Sequence, residues 1–292
     1  MKGSYRQSPP FARDRYCRED SALFAFALPM ASEEGGFVPP TVSDTHLPDL
    51  FPWMAEYGTG FGKQMLMIVL SIVLITWFFT AAIKNPKLVP GKMQYLAESG
   101  YAFVRNGIGR DIIGEKNFRP WIPLLFATFF FVLLNNLFGA IPFLQLPSFS
   151  HAGSAYAMAI IIYGTWIAVG LKNHGIRYFK LAVVPSGVPG WIMPLMIPLE
   201  IISNFIVRPL THSLRLMATM LAGHMIVMLA AAGARHLIVV QDSLAMNGLG
   251  VLVIAGSVAM YFLELLIMVL QAFVFALLTA IYVQGAIEAD AH

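Results

Sequence analysis

The residue with the most chemistry to offer is an arginine in apolar surroundings. Arg215 lies in the stretch Arg-Pro-Leu-Thr-His-Ser-Leu-Arg-Leu-Met-Ala-Thr-Met-Leu-Ala-Gly-His, from Arg208 to His224, and the nearest carboxylate in sequence is Glu200, 15 residues back. An arginine at bilayer depth costs about 3 kcal/mol on insertion scales and roughly 10 or more in simulations. Either its charge is needed at that depth, or it snorkels to an interface or pairs with a distant carboxylate. A guanidinium hardly ever loses its proton, which suits it to be a fixed charge. On a helix Thr211, Arg215 and Thr219 share a face, with His212 beside them. Ala218, Ala222 and Gly223 give the same stretch a smooth surface for a partner helix.

A second polar stripe falls in the last apolar segment. Glu264 and Gln271 are seven residues apart and Tyr282 lies close to the same line. From Val258 to Val269 the neighbours of Glu264 are apolar apart from Tyr261. A buried acid in such a place marks a functional site by default. His224 is nine residues beyond Arg215, so it points to the other side of its helix. His224 and Glu264 are therefore candidates to meet across a helix hairpin, as a proton relay or as a mutually satisfied structural pair. Asn135 and Asn136 sit near the end of another apolar run, where unpaired amides are costly. They either bond to neighbouring helices or line a wet cavity.

The elements that must hold these groups are membrane helices. Of the 292 residues 58% are hydrophobic and only 12% charged, with a mean hydropathy of +0.69. Soluble domains carry about 25% charged residues, so the composition predicts an all-α polytopic membrane protein. The single cysteine, Cys17, leaves no internal disulfide and no cysteine-based metal cluster. No His-Glu-x-x-His zinc motif, Gly-x-Ser-x-Gly elbow or Gly-x-x-x-x-Gly-Lys phosphate loop occurs. No enzyme activity, resident cofactor or nucleic-acid partner is expected.

Residues 1–62 are polar and rich in proline, and are expected to be poorly ordered up to about Leu47. The apolar run 21–31 reads as the core of a signal peptide, against the acids Asp14, Glu19 and Asp20 just before it. Alternatively translation begins at Met30. The membrane domain spans 63–288, with a short tail at 289–292. Its first crossing is expected over Gln64–Ile83, close to the ~20 residues that a 30 Å core requires. From Lys84 to Arg119 there are seven basic residues and three acidic ones, and Leu96, Phe103 and Val104 alternate with Arg105 and Arg110. This segment reads as an amphipathic helix on the membrane surface or as a solvated loop. Further crossings are expected over 120–144 and 155–171. Basic residues concentrate in the links 84–119 and 172–190, which should face the cytoplasm.

Two apolar segments of roughly 40 residues follow, about 191–233 and 248–288, and each would be about 60 Å long as a helix. The second has no proline, which favours one long tilted helix over two upright ones; the first has Pro194, Pro198 and Pro209. Single helices give five crossings, the last two strongly tilted, with the N-terminus outside and the C-terminus cytoplasmic.

The sequence then resembles subunit a of F-type ATP synthases, in its bacterial form. The resemblance rests on Leu214-Arg215-Leu216, Leu221-Ala222-Gly223-His224 and Gln271-Ala272-Phe273, which occur in family order. It rests too on Asn136-Leu-Phe-Gly139-Ala-Ile-Pro142 and Val89-Pro90-Gly91-Lys92, and it covers roughly residues 60–288. It implies a proton-translocating stator beside a ring of subunit c hairpins, held by subunit b and the peripheral stalk within the rest of the F-type ATP synthase. ATP chemistry then belongs to partner subunits, and the protein to the bacterial plasma membrane. It implies that Arg215 faces the ring, favours the ionised rotor carboxylate and separates two half-channels, with Gln271 nearby. His224, Glu264 and Asn136 match positions of the outer half-channel, and Glu288 lies at the cytoplasmic end, towards the inner one. Glu200 resembles a family acid upstream of the arginine. Thr219 stands where many members have Asn, and its hydroxyl still donates and accepts. The competing reading is a secondary transporter or cation channel binding an anionic substrate at Arg215. Such folds usually carry paired broken helices in an internal repeat, and no repeat is found.

Overall fold

The computed structural model describes residues 63–84, 86–141, 149, 152–183, 192–240 and 244–287. The N-terminal segment with its signal and start-site readings, Pro142, Glu288 and the tail lie outside the described residues. Helices dominate, and there is no strand among the described residues.

Helix α1, Lys63–Ile83, is the first long apolar helix. Helix α2, Lys92–Ala102, runs on through a π-helical stretch Phe103–Arg110 and a last turn Asp111–Ile113. The segment 84–119 thus contains a helix, and its packing explains why. Val104 and Ile108 are fully buried in the main core while Arg105 and Arg110 stay exposed. Helix α3, Ile122–Ala140, begins after a 3-10 turn over Arg119–Trp121, where Pro120 and Pro123 lack the N–H groups that a first turn leaves unpaired anyway. Helix α4, Ala152–His174, ends at Gly175, whose φ of 59° closes the turn with a Gly175 N–H to Leu171 carbonyl bond of 2.8 Å. The short α5, Arg177–Val183, follows.

Helices α6, Met193–Ile202, and α7, Arg208–Arg235, form one nearly continuous rod through a π-helical join, Ser203–Val207. The join has a local cause. A proline ring clashes with the carbonyl four residues earlier, and four residues before Pro209 is Phe205, in the middle of the join. The wider winding relieves that clash, and the Arg208 N–H donates to the Ser203 carbonyl, five residues back. Helix α8, Leu244–Ile287, is unbroken over 44 residues. At 1.5 Å per residue it is ~66 Å long, about twice a bilayer core, so it fits only by tilting or projecting.

Among the described residues five helical stretches are long and apolar enough to cross a membrane: Met65–Ile83, Arg119–Ala140, Gly153–His174, Met193–Ile238 and Gly248–Ile287. The single-helix reading of both long segments holds, and the third crossing is three residues longer at each end than the sequence suggests. The core forms where α8 lies along α3, α4 and α7. Ala272, Ala276, Ala280 and Val283 of α8 are fully buried, one small or β-branched residue per turn, and this lets the neighbouring helices approach closely.

Candidate functional site

Helix α7 has two unlike faces. Leu216 and Met220 are buried in the core with Met268 and Phe275 of α8. Leu214, Arg215, Ala218, Ala222, Ile226 and Leu229 are exposed and lie along one side at helical spacing. Arg215 therefore stands in an apolar strip that no described residue covers, and it forms no ion pair among the described residues. The ion pair found there is Arg110–Glu115, on exposed side chains. Thr219 does not compete for the guanidinium, because its hydroxyl donates to the Arg215 and Leu216 carbonyls at 2.9 and 3.2 Å.

The register of the α7–α8 hairpin is fixed at two places. The His212 ring lies 3.8 Å from the Phe275 ring, centroid to centroid. Eleven residues on in α7 and eleven back in α8, Gly223 faces Glu264: a Cβ at 223 would come within 2.8 Å of Glu264 Oε1. The two contacts share one antiparallel register, and it sets Gln271 opposite Leu216, beside Arg215. Gln271 is only 5% exposed, and its Nε2 has no hydrogen-bond partner.

Glu264 is 8% exposed, beside a cavity of about 210 Å³ whose lining includes Thr219, Gly223, Met260 and Met268. By volume it has room for several waters, at about 30 Å³ each in the liquid, and Glu264 and Thr219 are the polar side chains in an otherwise apolar lining. No hydrogen bond joins His224 to Glu264 in the described structure. The reason is geometric: the carboxyl sits against Gly223, and the next residue points about 100° further around the helix. The two face the same hairpin without touching.

The amides of α3 reach the same region. Asn136 is fully buried and its Nδ2 donates to the Met268 carbonyl at 3.2 Å, one turn along α8 from Glu264. Asn135 Nδ2 donates to Ser71 Oγ of α1 at 2.9 Å and to the Phe131 carbonyl at 2.8 Å. Both Oδ1 atoms are left without partners. Each asparagine thus ties helices together with its N–H and keeps a buried acceptor free. Tyr261 adds a bond of 2.6 Å from its hydroxyl to the Ala140 carbonyl, at the end of α3.

Of the other expected residues, Glu200 accepts a 3.2 Å bond from Asn204 Nδ2 on α6 and its join, away from the Arg215–Glu264 region. Glu288 is outside the described residues. Sequence reasoning set His212 beside the Arg215 stripe; it is 4% exposed, with neither ring nitrogen hydrogen-bonded. Three helical residues turn a side chain by about 60°, enough to move it from the open face into the core. Sequence reasoning also missed Arg208, whose guanidinium carbon lies 5.9 Å from the Trp166 ring centroid and 5.6 Å from that of Tyr282. Tyr178, on α5, lies within its field: burial pushes the Tyr178 phenol up to about 12, and the Arg208 charge opposes that rise. No group of three metal-binding side chains occurs among the described residues.

The architecture is that of a multi-pass all-α membrane protein with Arg215 presented on an open helix face. The family model for the ATP synthase A chain matches residues 65–284. The chain is 58% identical to ATP synthase subunit a of Pseudarthrobacter chlorophenolicus over 92% of this chain and the whole of that protein. It is 39% identical to ATP synthase subunit a of Streptomyces lividans, over 77% of this chain and 79% of that one. It is 38% identical to that of Bradyrhizobium diazoefficiens, over 78% and 89%. The chain belongs to the ATP synthase subunit a family.

Proposed function

We propose that this chain is the proton-translocating stator of an F-type ATP synthase, with Arg215 as the electrostatic gate between two offset half-channels. The observation that carries the reading is the exposure of Arg215, without a counter-charge, on an apolar strip of α7. A free guanidinium facing lipid alone is costly. A rotor surface that brings one carboxyl at a time makes that charge useful. The rotor carboxyl is neutral while it faces lipid. Beside Arg215 the ionised form is favoured, so the carboxyl releases its proton to one half-channel and is reloaded from the other. Arg215 holds its own proton throughout.

The outer half-channel runs past Glu264, His224 and Asn136. Its wet part is the cavity beside Glu264, and water passes the proton between the carboxyl and the imidazole, which do not touch. The free Oδ1 of Asn136 suits a water-lined path. Gln271 and Thr219 shape the surroundings of Arg215, the first by its register beside it and the second by its bond to the Arg215 carbonyl. Glu288 belongs to the inner half-channel, and Glu200 is a further candidate upstream of Arg215. The partners are the subunit c ring on the open face of α7 and subunit b with the peripheral stalk elsewhere. The setting is the bacterial plasma membrane, with the N-terminus outside and the C-terminus cytoplasmic, as the basic links require. Protons are the default ion, because the groups that select sodium lie mainly on the rotor.

The test is ATP-driven acidification in inverted membrane vesicles, with passive proton permeability measured alongside. Arg215→Ala is expected to abolish pumping in complexes that still assemble. Pumping at the wild-type rate in that variant removes Arg215 from the mechanism.

A further inference from the structure

The gate arginine has a companion that neither the motifs nor the comparisons single out. Arg208 is seven residues before Arg215, two helical turns, which places it ~10 Å along the axis and within about 20° of the same line. Arg215 is left open; Arg208 is gripped, its guanidinium lying over the rings of Trp166 and Tyr282 at 5.9 and 5.6 Å. Guanidinium groups within about 6 Å of an aromatic centroid are held by the ring quadrupole. The grip is tight. The space left between Tyr163, Trp166, Arg208, His212 and Tyr282 is about 10 Å³, at most one water, so no lipid phosphate fits inside the cage beside the charge. The backbone is pinned as well, by the Arg208 N–H bond to the Ser203 carbonyl and by Thr211 Oγ1 donating to the Arg208 carbonyl at 3.1 Å.

The groups around this charge do not neutralise it. Helix α4 contributes Tyr163 and Trp166, α5 contributes Tyr178 with His174 stacked on it, and α8 contributes Tyr282. Its own helix adds His212 and Arg215. No carboxylate lies within ion-pairing distance of Arg208 among the described residues.

We propose that Arg208 is a second fixed charge of the translocation path, caged by Trp166 and Tyr282, which lowers the proton affinity of a rotor carboxyl on the cytoplasmic side of Arg215. This rests on the stator reading and its orientation, in which the start of α7 and the end of α8 face the cytoplasm. The field acts in a definite direction. A cation favours carboxylate over carboxylic acid, so Arg208 eases proton release towards the cytoplasm and opposes loading from it. At an effective dielectric of about 20, a unit charge ~10 Å away moves a carboxyl pKa by about one unit. The cage keeps that charge at its depth; a free arginine there would snorkel outward. Arg208 is a positioning residue for the field and carries no proton itself.

The experiment uses the whole ATP synthase in inverted vesicles, where pumping loads the rotor from the cytoplasmic face. ATP-driven acidification is followed against external pH for wild type, Arg208→Gln, Arg208→Lys and Trp166→Leu. Without the cation the carboxyl pKa rises, and loading fails only at higher pH. The alkaline limb is therefore expected to move up by about one pH unit in Arg208→Gln. It should stay at the wild-type position in Arg208→Lys, and move part of the way in Trp166→Leu, which keeps the charge and opens the cage. An unmoved limb in Arg208→Gln overturns the proposal, as does an equal shift in the glutamine and lysine variants, which would make the guanidinium shape the active feature. If Arg208→Gln does not assemble, the lysine and Trp166 variants decide: an unmoved limb in Trp166→Leu then overturns it. Arg215→Ala in the same vesicles separates the two levels. Pumping in that variant removes the stator reading itself, whereas lost pumping with an unmoved Arg208→Gln limb removes only this inference.

Discussion

The two sides of α7 solve different problems. The side against α8 is finished within this chain. Leu216 and Met220 are buried, Gly223 yields its Cβ space to Glu264, and the His212 ring packs tilted against that of Phe275. The side carrying Arg215 is unfinished: apolar or small residues surround one charge, and no described residue lies over them. Side chains in the seam answer to packing, where one methyl is felt. Side chains on the strip answer, on the proposed reading, to the rotor, and the fold is expected to tolerate change there. Stability and transport should therefore respond to different residues of the same helix pair.

The strongest way to break that contrast is at the seam. Ala276→Leu puts three carbons into a fully buried position of α8. Overpacking of this kind costs about 1–3 kcal/mol, and a loss of subunit from the purified complex is expected, measured by its recovery and Tm. Next comes Asn136→Leu. It removes the bond to the Met268 carbonyl together with an unpaired Oδ1, so the two losses partly offset and the net cost is about 1 kcal/mol. Pumping should fall more than Tm, because the free acceptor is what a water path uses; equal falls would make Asn136 purely structural.

Gly223→Ala sharpens the comparison from the other direction. Its Cβ would meet the end of the Glu264 side chain at 2.8 Å, and a flexible carboxyl end can yield. The fold is expected to survive while the carboxyl shifts, slowing ATP-driven pumping about fivefold, the equivalent of ~1 kcal/mol. Shortening the acid in Gly223→Ala with Glu264→Asp should recover part of that loss. The smallest effect on stability is expected at Ala218→Leu on the open strip, within about 0.5 kcal/mol, with pumping strongly reduced by a clash with the rotor. A large Tm drop there would show that the strip is already packed.

The architecture was legible where one signal is enough. Forty apolar residues without proline read as a single helix, and α8 is one. The open face of α7 was legible in part, since Ala218 and Ala222 suggest a smooth surface and both lie exposed beside Arg215. What was not legible depends on contacts between distant residues. Alternating Val104 and Arg105 suggest amphipathicity, but only the presence of α3 makes Val104 and Ile108 a core. The spacing of His224 and Glu264 suggests a pair, yet the hairpin register is one residue away from making it. His212 looks like part of the Arg215 stripe, and a 60° turn buries it. Nothing local marks Arg208, because its cage is built from Trp166 and Tyr282, on two other helices.

The π-helical join ahead of Pro209 has one more consequence. Winding five residues where an α-helix would wind four is an angular offset, and everything after it inherits that offset. Ser203–Val207 therefore acts as a phase adjuster between α6 and the strip that carries Arg215. Pro209→Ala, which removes the clash with the Phe205 carbonyl and lets the join wind as ordinary helix with every residue kept, would turn the strip by about 100° relative to α6. Arg215 would then rotate off its line without a single change in its own neighbours. The direction in which the Arg215 charge points is set ten residues before the charge itself.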